Sequence, residues 1–316
     1  MKKYIFYTIF LFSLCSCDVN NNNKINNTHQ FDIERFDKLF HEITINNLSD
    51  LKNSYPFLFP EQYNSEVWIN RLNDTIQKEI YNEINLVYPN LDDEKNDLIK
   101  FYNNFTSYFP TYKLPRIITL ISDVQYENRV ILADSLLLIG LDNYLGSDHL
   151  FYSSMPQYIS DNLISRMIVS DVAEEYAHYI IPKNNFYTFL DRIIFHGKVL
   201  YFKDIMLPKL DDRYKIGYSK SNMEWANDNE NFVWTYFVEK ELMFSSDNKL
   251  TKRFINVAPF SKFYLSIDND SPGMIGKFIG WRIVKSYMKN NKTTLVEMIL
   301  MNPTDIYNKS KYKPNK

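Results

Sequence analysis

The spacing of apolar residues constrains the fold of this chain most, because it changes once from a helical to a strand-like period and then changes back. Residues 67–87 place apolar side chains every three or four positions, which predicts one long amphipathic helix that Pro89 ends. Residues 92–109 repeat the pattern, and the apolar residues of 31–40 predict a shorter first helix. The helical period returns from Ile159 onward. Most of the chain is therefore expected to be helical.

Three short segments in the middle of the chain have a different character. They are rich in Ile, Leu and Val, are separated by polar or acidic residues, and cover 117–124, 129–134 and 135–141. This composition predicts the strands of one small sheet. The first connection is too short for a crossover helix, so the strands are expected to be antiparallel. The expected fold class is α+β, mostly helical with a small antiparallel sheet.

The N-terminus has the layout of an export signal. Two lysines precede an apolar run over residues 4–14, which is far shorter than the ~20 apolar residues that a membrane span needs. Residues 14–17 (Leu-Cys-Ser-Cys) are similar to a bacterial lipobox, in which acyl chains such as palmitate are attached to Cys17. Such chains hold a protein at a membrane surface. An ordinary signal peptide that contains two cysteines is the alternative.

Composition supports an exported protein with one folded body. Its only cysteines are Cys15 and Cys17, so the mature domain contains no disulfide and depends on its apolar core. The formal net charge of −2 gives no basic surplus, and nucleic acid is not an expected partner. We expect a lipid-anchored protein of the cell envelope that faces the periplasm. The expected segments are a signal peptide (1–17), an Asn-rich tether (18–30), a single globular domain (31–307) and a Lys-rich tail (308–316).

A candidate metal motif lies on the predicted helix that covers residues 164–181. In the zinc-peptidase motif H-E-x-x-H, two histidines one turn apart bind the metal and the glutamate activates the bound water. Here Glu174 stands in the place of the first histidine, Glu175 in that of the base and His178 in that of the second histidine. His196, on a second predicted helix over 190–206, is the candidate third ligand. One carboxylate and two imidazoles can bind zinc or iron.

A plainer interpretation of the same residues is preferred. Acidic pairs and single histidines are common on exposed helix faces, and scattered histidines are usually solvated or satisfied by packing. The strand-then-helix order before the motif favours a zincin-like architecture, in which an edge strand precedes the metal helix. The expectation is thus a degenerate metallopeptidase scaffold without a cofactor, with zinc at Glu174, His178 and His196 as the alternative.

Two later segments are interpreted as structural. Residues 223–244 carry an aromatic stripe that is more typical of core than of a pocket, with Glu230 as an alternative ligand. Residues 259–278 contain Gly273 and Gly276, and Gly280 follows. The missing side chains of these glycines allow close backbone approach.

The order of several short motifs resembles the gliding motility-associated lipoprotein B family of Bacteroidetes-type bacteria. The resembling residues are Cys17, residues 31–37 (FDIERFD), 196–198 (HGK), 200–202 (LYF), 216–218 (IGY), Trp225, 229–230 (NE), Trp234, 258–260 (APF), 271–273 (SPG) and 280–284 (GWRIV). The resemblance implies a part of an envelope machinery for gliding that also supports protein secretion, and a distant relationship to zinc peptidases. It attaches no enzymatic activity, and it transfers one chemical role, lipid attachment at Cys17.

Two functions are consistent with these observations. The first is a non-enzymatic envelope lipoprotein that contacts other envelope or motility-machinery proteins. The alternative is a membrane-tethered zinc metalloprotein or peptidase with a variant motif, in which Glu175 acts as the base.

Overall fold

The computed structural model describes residues 29–183 and 186–315, which form fifteen α-helices and four strands. The strands are β1 Ile33–Arg35, β2 Arg116–Leu120, β3 Val130–Ala133 and β4 Leu136–Gly140. The first nine helices are α1 Phe36–Glu42, α2 Leu48–Ser54, α3 Ser65–Asn73, α4 Thr75–Val87, α5 Asp92–Tyr108, α6 Gln157–Ser160, α7 Met167–Ile180, α8 Phe189–Met206 and α9 Asp212–Ile216. The others are α10 Lys220–Asp228, α11 Glu230–Glu239, α12 Lys249–Phe254, α13 Ile275–Asn290, α14 Leu295–Leu300 and α15 Pro303–Ser310.

The predicted signal peptide, with Cys17, and nearly all of the tether lie outside the described residues. Within the part that the structure describes, no helix is both long enough and apolar enough to span a bilayer. The α+β class is confirmed, since helices predominate around one small sheet.

The sheet is mixed, and the prediction of an antiparallel sheet was wrong. Its strand order is β1-β2-β4-β3, and only β3 and β4 are antiparallel, whereas β1–β2 and β2–β4 are parallel. Strand β4 lies between β2 and β3. The crossover that joins the parallel strands β2 and β4 is residues 121–135, which include β3, and not the helix that usually makes such a connection. The three predicted strands exist, but β1 was missed because its three residues were assigned to the first helix.

The predicted helix over residues 67–87 is two helices that meet at Asp74. The backbone of Asp74 is extended, and its side chain accepts hydrogen bonds from the amides of Ile76 and Gln77. A carboxylate in this position is a strong N-cap that satisfies amides at a helix start. The apolar period runs through the break, so spacing alone could not reveal it. The helix predicted over 92–109 is confirmed as α5.

Two apolar clusters lie on opposite faces of the sheet. The larger cluster contains the buried faces of α5, α7, α8 and α13, and the smaller one contains residues of α1, α2 and α3. Adjacent residues of β2 divide between them, because Ile117 belongs to the larger cluster and Ile118 to the smaller. This division follows from the alternation of side chains along a strand.

Helices α8 and α13 cross at backbone contact. A Cβ atom on Gly280 would lie 1.8 Å from the carbonyl oxygen of Ile193, and one on Gly197 would lie 2.3 Å from the carbonyl oxygen of Gly280. The predicted close backbone approach at Gly280 is therefore present. The crossing also sets the position of His196, which precedes Gly197, relative to the first turn of α13.

The C-terminal residues pack against the body of the protein. Helix α15 extends three residues into the segment expected to be a Lys-rich tail. Beyond it, the ring of Tyr312 makes an edge contact with Trp234 at 5.0 Å, and its hydroxyl donates to Glu230 at 2.7 Å. Glu230, considered above as an alternative ligand, is thus a buried partner of the C-terminal segment.

Candidate functional site

The candidate site lies where α7 and α8 pack together and α13 begins. Helix α7 buries Val172 and Tyr176 in the core, while Glu174 and His178 lie one turn apart on its less buried side. Residues four apart share a helix face. Helix α8 contributes His196.

A cavity of about 120 Å³ opens at this junction, and we call it the cation pocket. Two of the predicted site residues, Glu174 and His196, line it. Its charged lining residues are Arg129, Asp171, Glu174, Lys203, Lys215 and Lys277. Positive side chains thus outnumber negative ones in its walls.

Glu174 forms an ion pair with a lysine of α8. Its Oε2 atom lies 2.5 Å from Nζ of Lys203, and that ammonium group also donates to the carbonyl oxygen of Lys215 at 2.8 Å. The side chain of Lys203 is completely buried, whereas that of Glu174 is 32% exposed. Burial favours the neutral carboxyl, but the ammonium groups of Lys203 and Lys277 outweigh it and hold the pKa of Glu174 well below its usual range. Glu174 is therefore ionised and already has a cation of the protein as its partner.

Both histidines of the predicted ligand set are neutral. Burial lowers the pKa of His196 to about 3, and burial also lowers the pKa of His178. The ring of His178 stacks on Phe195 at 5.8 Å, and its buried Nε2 atom has no hydrogen-bond partner among the described residues. Neutral imidazole is the form that can coordinate a metal.

The structure brings only part of the predicted set to one cavity. Glu174 and His196 line the cation pocket, whereas His178 lies against Phe195. Burial and the charge of Glu174 raise the pKa of Glu175, the predicted base. In residues 29–183 and 186–315, no group of three or more His, Cys, Asp and Glu side chains is placed to hold a metal ion. Metal binding by this set stays a prediction.

Sequence reasoning missed a second ion pair of the site. Arg129, just before β3, donates to both carboxylate oxygens of Asp171 at 2.6 and 2.8 Å, and the hydroxyl of Tyr144 donates to Asp171 at 2.8 Å. Asp171 precedes Glu174 by three positions on α7, so helix periodicity could have identified it. No local signal points to Arg129, which is 42 residues away from Asp171.

The lysines of the cation pocket were missed as well. Lys203 follows His196 by seven positions, which is two turns along α8. This spacing places both residues on one face of the helix and could have identified Lys203 from the sequence. Lys277 lies on α13, far from both motifs in the sequence, and nothing local indicates that it reaches the same cavity.

A comparison with models of protein families gives a match that covers most of this chain. A family model described as "Gliding motility protein GldB" matches residues 18–314, which is nearly the whole chain. No curated protein and no solved structure matches this chain.

Proposed function

The chain belongs to the family of the gliding motility protein GldB, and we propose that it is a membrane-anchored envelope lipoprotein of the gliding motility machinery that acts by contacts with other proteins. Its anchor is a lipid on Cys17, its folded body faces the periplasm, and it performs no catalysis. The family match and the lipobox-like residues 14–17 support the placement.

One observation carries the non-enzymatic part of this proposal, namely the Lys203 ammonium group 2.5 Å from Glu174. Glu174 stands in the place of the first metal ligand, and a positive side chain of the protein already neutralises it. A divalent cation at this carboxylate would be close to the charges of Lys203 and Lys277, which repel it. The arrangement supports a structural ion pair in the place of a metal.

The order of elements supports descent from a zinc-peptidase scaffold. Strand β3 is the edge strand of the sheet, is antiparallel to its neighbour β4, and packs against α7. An edge strand ahead of the metal helix is the context that zinc peptidases use. We propose that the family kept this zincin-like framework and lost the chemistry.

Complementation tests the proposal. A gliding strain that lacks its own copy would carry Glu175→Gln, the double variant His178→Gln/His196→Gln, or Cys17→Ser, each at the abundance of the parent protein. We expect colony spreading with the first two variants, because neither removes a contact surface. We expect no spreading with Cys17→Ser, and recovery of that variant from the soluble fraction. Loss of spreading in Glu175→Gln would contradict the non-enzymatic proposal.

A second candidate function, a membrane-tethered zinc metalloprotein, has one observation in its favour. The neutral His178 ring keeps a buried Nε2 atom without a hydrogen-bond partner among the described residues. Inductively coupled plasma mass spectrometry of the full chain, purified in detergent without a metal-affinity tag, decides between the two. About one zinc or iron per chain, absent from His178→Gln/His196→Gln, would establish the metalloprotein. Protein purified without bound metal would agree with the proposal of a non-enzymatic scaffold.

A further inference from the structure

The cations that line the cation pocket are not all paired. Three of the four have carboxylate partners within hydrogen-bond distance. The pairs are Arg129 with Asp171 at 2.6 Å, Lys203 with Glu174 at 2.5 Å, and Lys215 with Asp204 at 2.9 Å and with Asp212 at 2.8 Å. Lys277, the fourth, has neither a hydrogen-bond nor an ion-pair partner within residues 29–183 and 186–315. Lys277 is therefore the one cation of the lining that has no carboxylate partner among the described residues.

The unpaired charge of Lys277 is unfavourable in the folded protein. Lys277 is half-buried, and burial lowers the pKa of its ammonium group. The positive charges of Lys203 and Arg129 lower it further, while Glu174, which already has a partner, opposes them. An unpaired charge in a partly buried position destabilises a protein until an opposite charge joins it.

The start of α13 adds to the positive potential. Lys277 lies in the first turn of this 16-residue helix, and Met274, just before the helix, lines the same cavity. The N-terminus of a helix carries a partial positive charge that favours anions. The side chain of Lys277 and the backbone of α13 thus act in the same direction.

The size and the walls of the pocket restrict the ligand. A volume of about 120 Å³ corresponds to roughly four water molecules. Apolar side chains complete the lining, among them Met167, Val199 and Leu200. Asp171 and Glu174 also line the cavity and would repel a dianion. The surroundings suit a small group with one negative charge and an apolar neighbour.

We propose that the cation pocket binds the carboxylate of an organic acid that carries an apolar group beside it, with Lys277 as the main binding residue. Its source is either a free small acid or the C-terminus of a peptide. The inference goes beyond the proposed role in motility and does not depend on it.

Calorimetric titration of the EDTA-treated full chain in detergent tests this site. The probes are isobutyrate, its uncharged amide, inorganic phosphate and the peptide Gly-Gly-Val. We expect the free acid to bind, the amide to show no binding, and Lys277→Met to weaken binding of the acid at least tenfold. Lys289→Met is the matched control, since Lys289 is an exposed lysine of the same helix, and should bind as the parent does. Tighter binding of Gly-Gly-Val than of isobutyrate would indicate that the ligand is the C-terminus of a peptide. Tighter binding of isobutyrate would indicate that it is a free small acid.

A thermal melt separates loss of binding from loss of folding. Because Lys277→Met removes an unpaired cation, we expect it to melt at or above the temperature of the parent. The acid should raise the melting temperature of the parent but not that of the variant. Four results would overturn the proposal. They are equal binding of the acid and the amide, unchanged binding of the acid by Lys277→Met, tighter binding of phosphate than of the acid, and no binding of any probe.

Discussion

At the scale of single residues, the stability of α8 depends on how Lys203 is paired. Its side chain is completely buried, and its ammonium group contacts the carboxylate of Glu174 and the carbonyl oxygen of Lys215. Removing one partner of a buried pair usually destabilises a protein by about 3–5 kcal/mol, because the other charge stays buried.

We predict that Glu174→Gln lowers the free energy of unfolding by about 2 kcal/mol, less than for a fully buried pair because Glu174 is partly solvated. The double variant Glu174→Gln/Lys203→Met should recover most of this loss, since neither charge of the pair remains. Urea unfolding of these two variants and of Lys203→Met completes a double-mutant cycle, which measures the interaction free energy between Glu174 and Lys203. If the effects of the two single substitutions add up to that of the double variant, the two charges do not stabilise each other.

At the scale of elements, the crossing of α8 and α13 depends on two glycines. The backbones meet at Gly197 and Gly280, where a Cβ atom would overlap backbone atoms of the facing helix. The rigid main chain cannot move aside as the end of a flexible side chain can. The helices must therefore separate if either glycine gains a side chain.

We predict that Gly280→Ala destabilises the protein by about 3 kcal/mol, at the upper end for overpacked cores. Thermal unfolding measures the effect, and Lys289→Ala on the exposed side of α13 is the control. The separation should also displace Lys277 from the cation pocket. Equal melting temperatures for the two variants would contradict the backbone contact.

The parallel pair of β1 and β2 contains a pH-dependent ion pair. Arg116 donates to both carboxylate oxygens of Glu34 at 2.8 and 2.7 Å. These hydrogen bonds lower the pKa of Glu34 in the folded protein. A lowered carboxyl pKa gives stability that is present above the unfolded-state pKa and is lost as the pH falls through the folded-state pKa.

We predict that Arg116→Met costs about 0.5 kcal/mol at pH 7, because both partners are partly exposed, and that the cost disappears once the pH falls below the lowered pKa of Glu34. Urea unfolding across this pH range is the measurement. The variant Glu34→Gln is the matched control, and adding Arg116→Met to it should cause no pH-dependent change. A cost that persists at low pH would assign the effect to lost packing of the arginine on Tyr55 and Phe57, which its guanidinium approaches at 5.4 Å.

At the scale of the whole molecule, hydrogen bonds hold the C-terminal segment against α11. Glu230 is almost completely buried and accepts hydrogen bonds from Tyr312 at 2.7 Å and from Asn315 at 3.1 Å, while Arg282 lies 3.4 Å away. A buried carboxylate that loses a donor is costly.

We predict that Tyr312→Phe, which removes only the hydroxyl, lowers the free energy of unfolding by about 2 kcal/mol. Tyr307→Phe is the control, because the Tyr307 hydroxyl makes no hydrogen bond within the described part of the chain. Chemical denaturation compares the two variants. If Tyr312→Phe leaves the free energy of unfolding unchanged, the hydrogen bond between the C-terminal segment and Glu230 contributes little to stability.

The sequence by itself determined the local features of this protein. Apolar periodicity predicted α5, α7 and α8, the strand-forming segments around β2, β3 and β4, and the positions of Glu174, His178 and His196 on two helices. Such patterns depend on neighbours within one or two turns of a helix or along one strand, so they can be recognised without the fold. The same locality explains why the break at Asp74 went unnoticed, since the apolar period continues through it.

Only the tertiary structure decided the strand directions and the chemistry of the cation pocket. The direction of β4 depends on its insertion between β2 and β3, and Lys203, Arg129 and Lys277 reach their positions near α7 from three separate parts of the chain. Charges separated by tens of residues act on one another only after folding has brought them within a few ångströms. For that reason the motif on α7 suggested a metal site from the sequence, whereas the folded protein places its own cations beside Glu174.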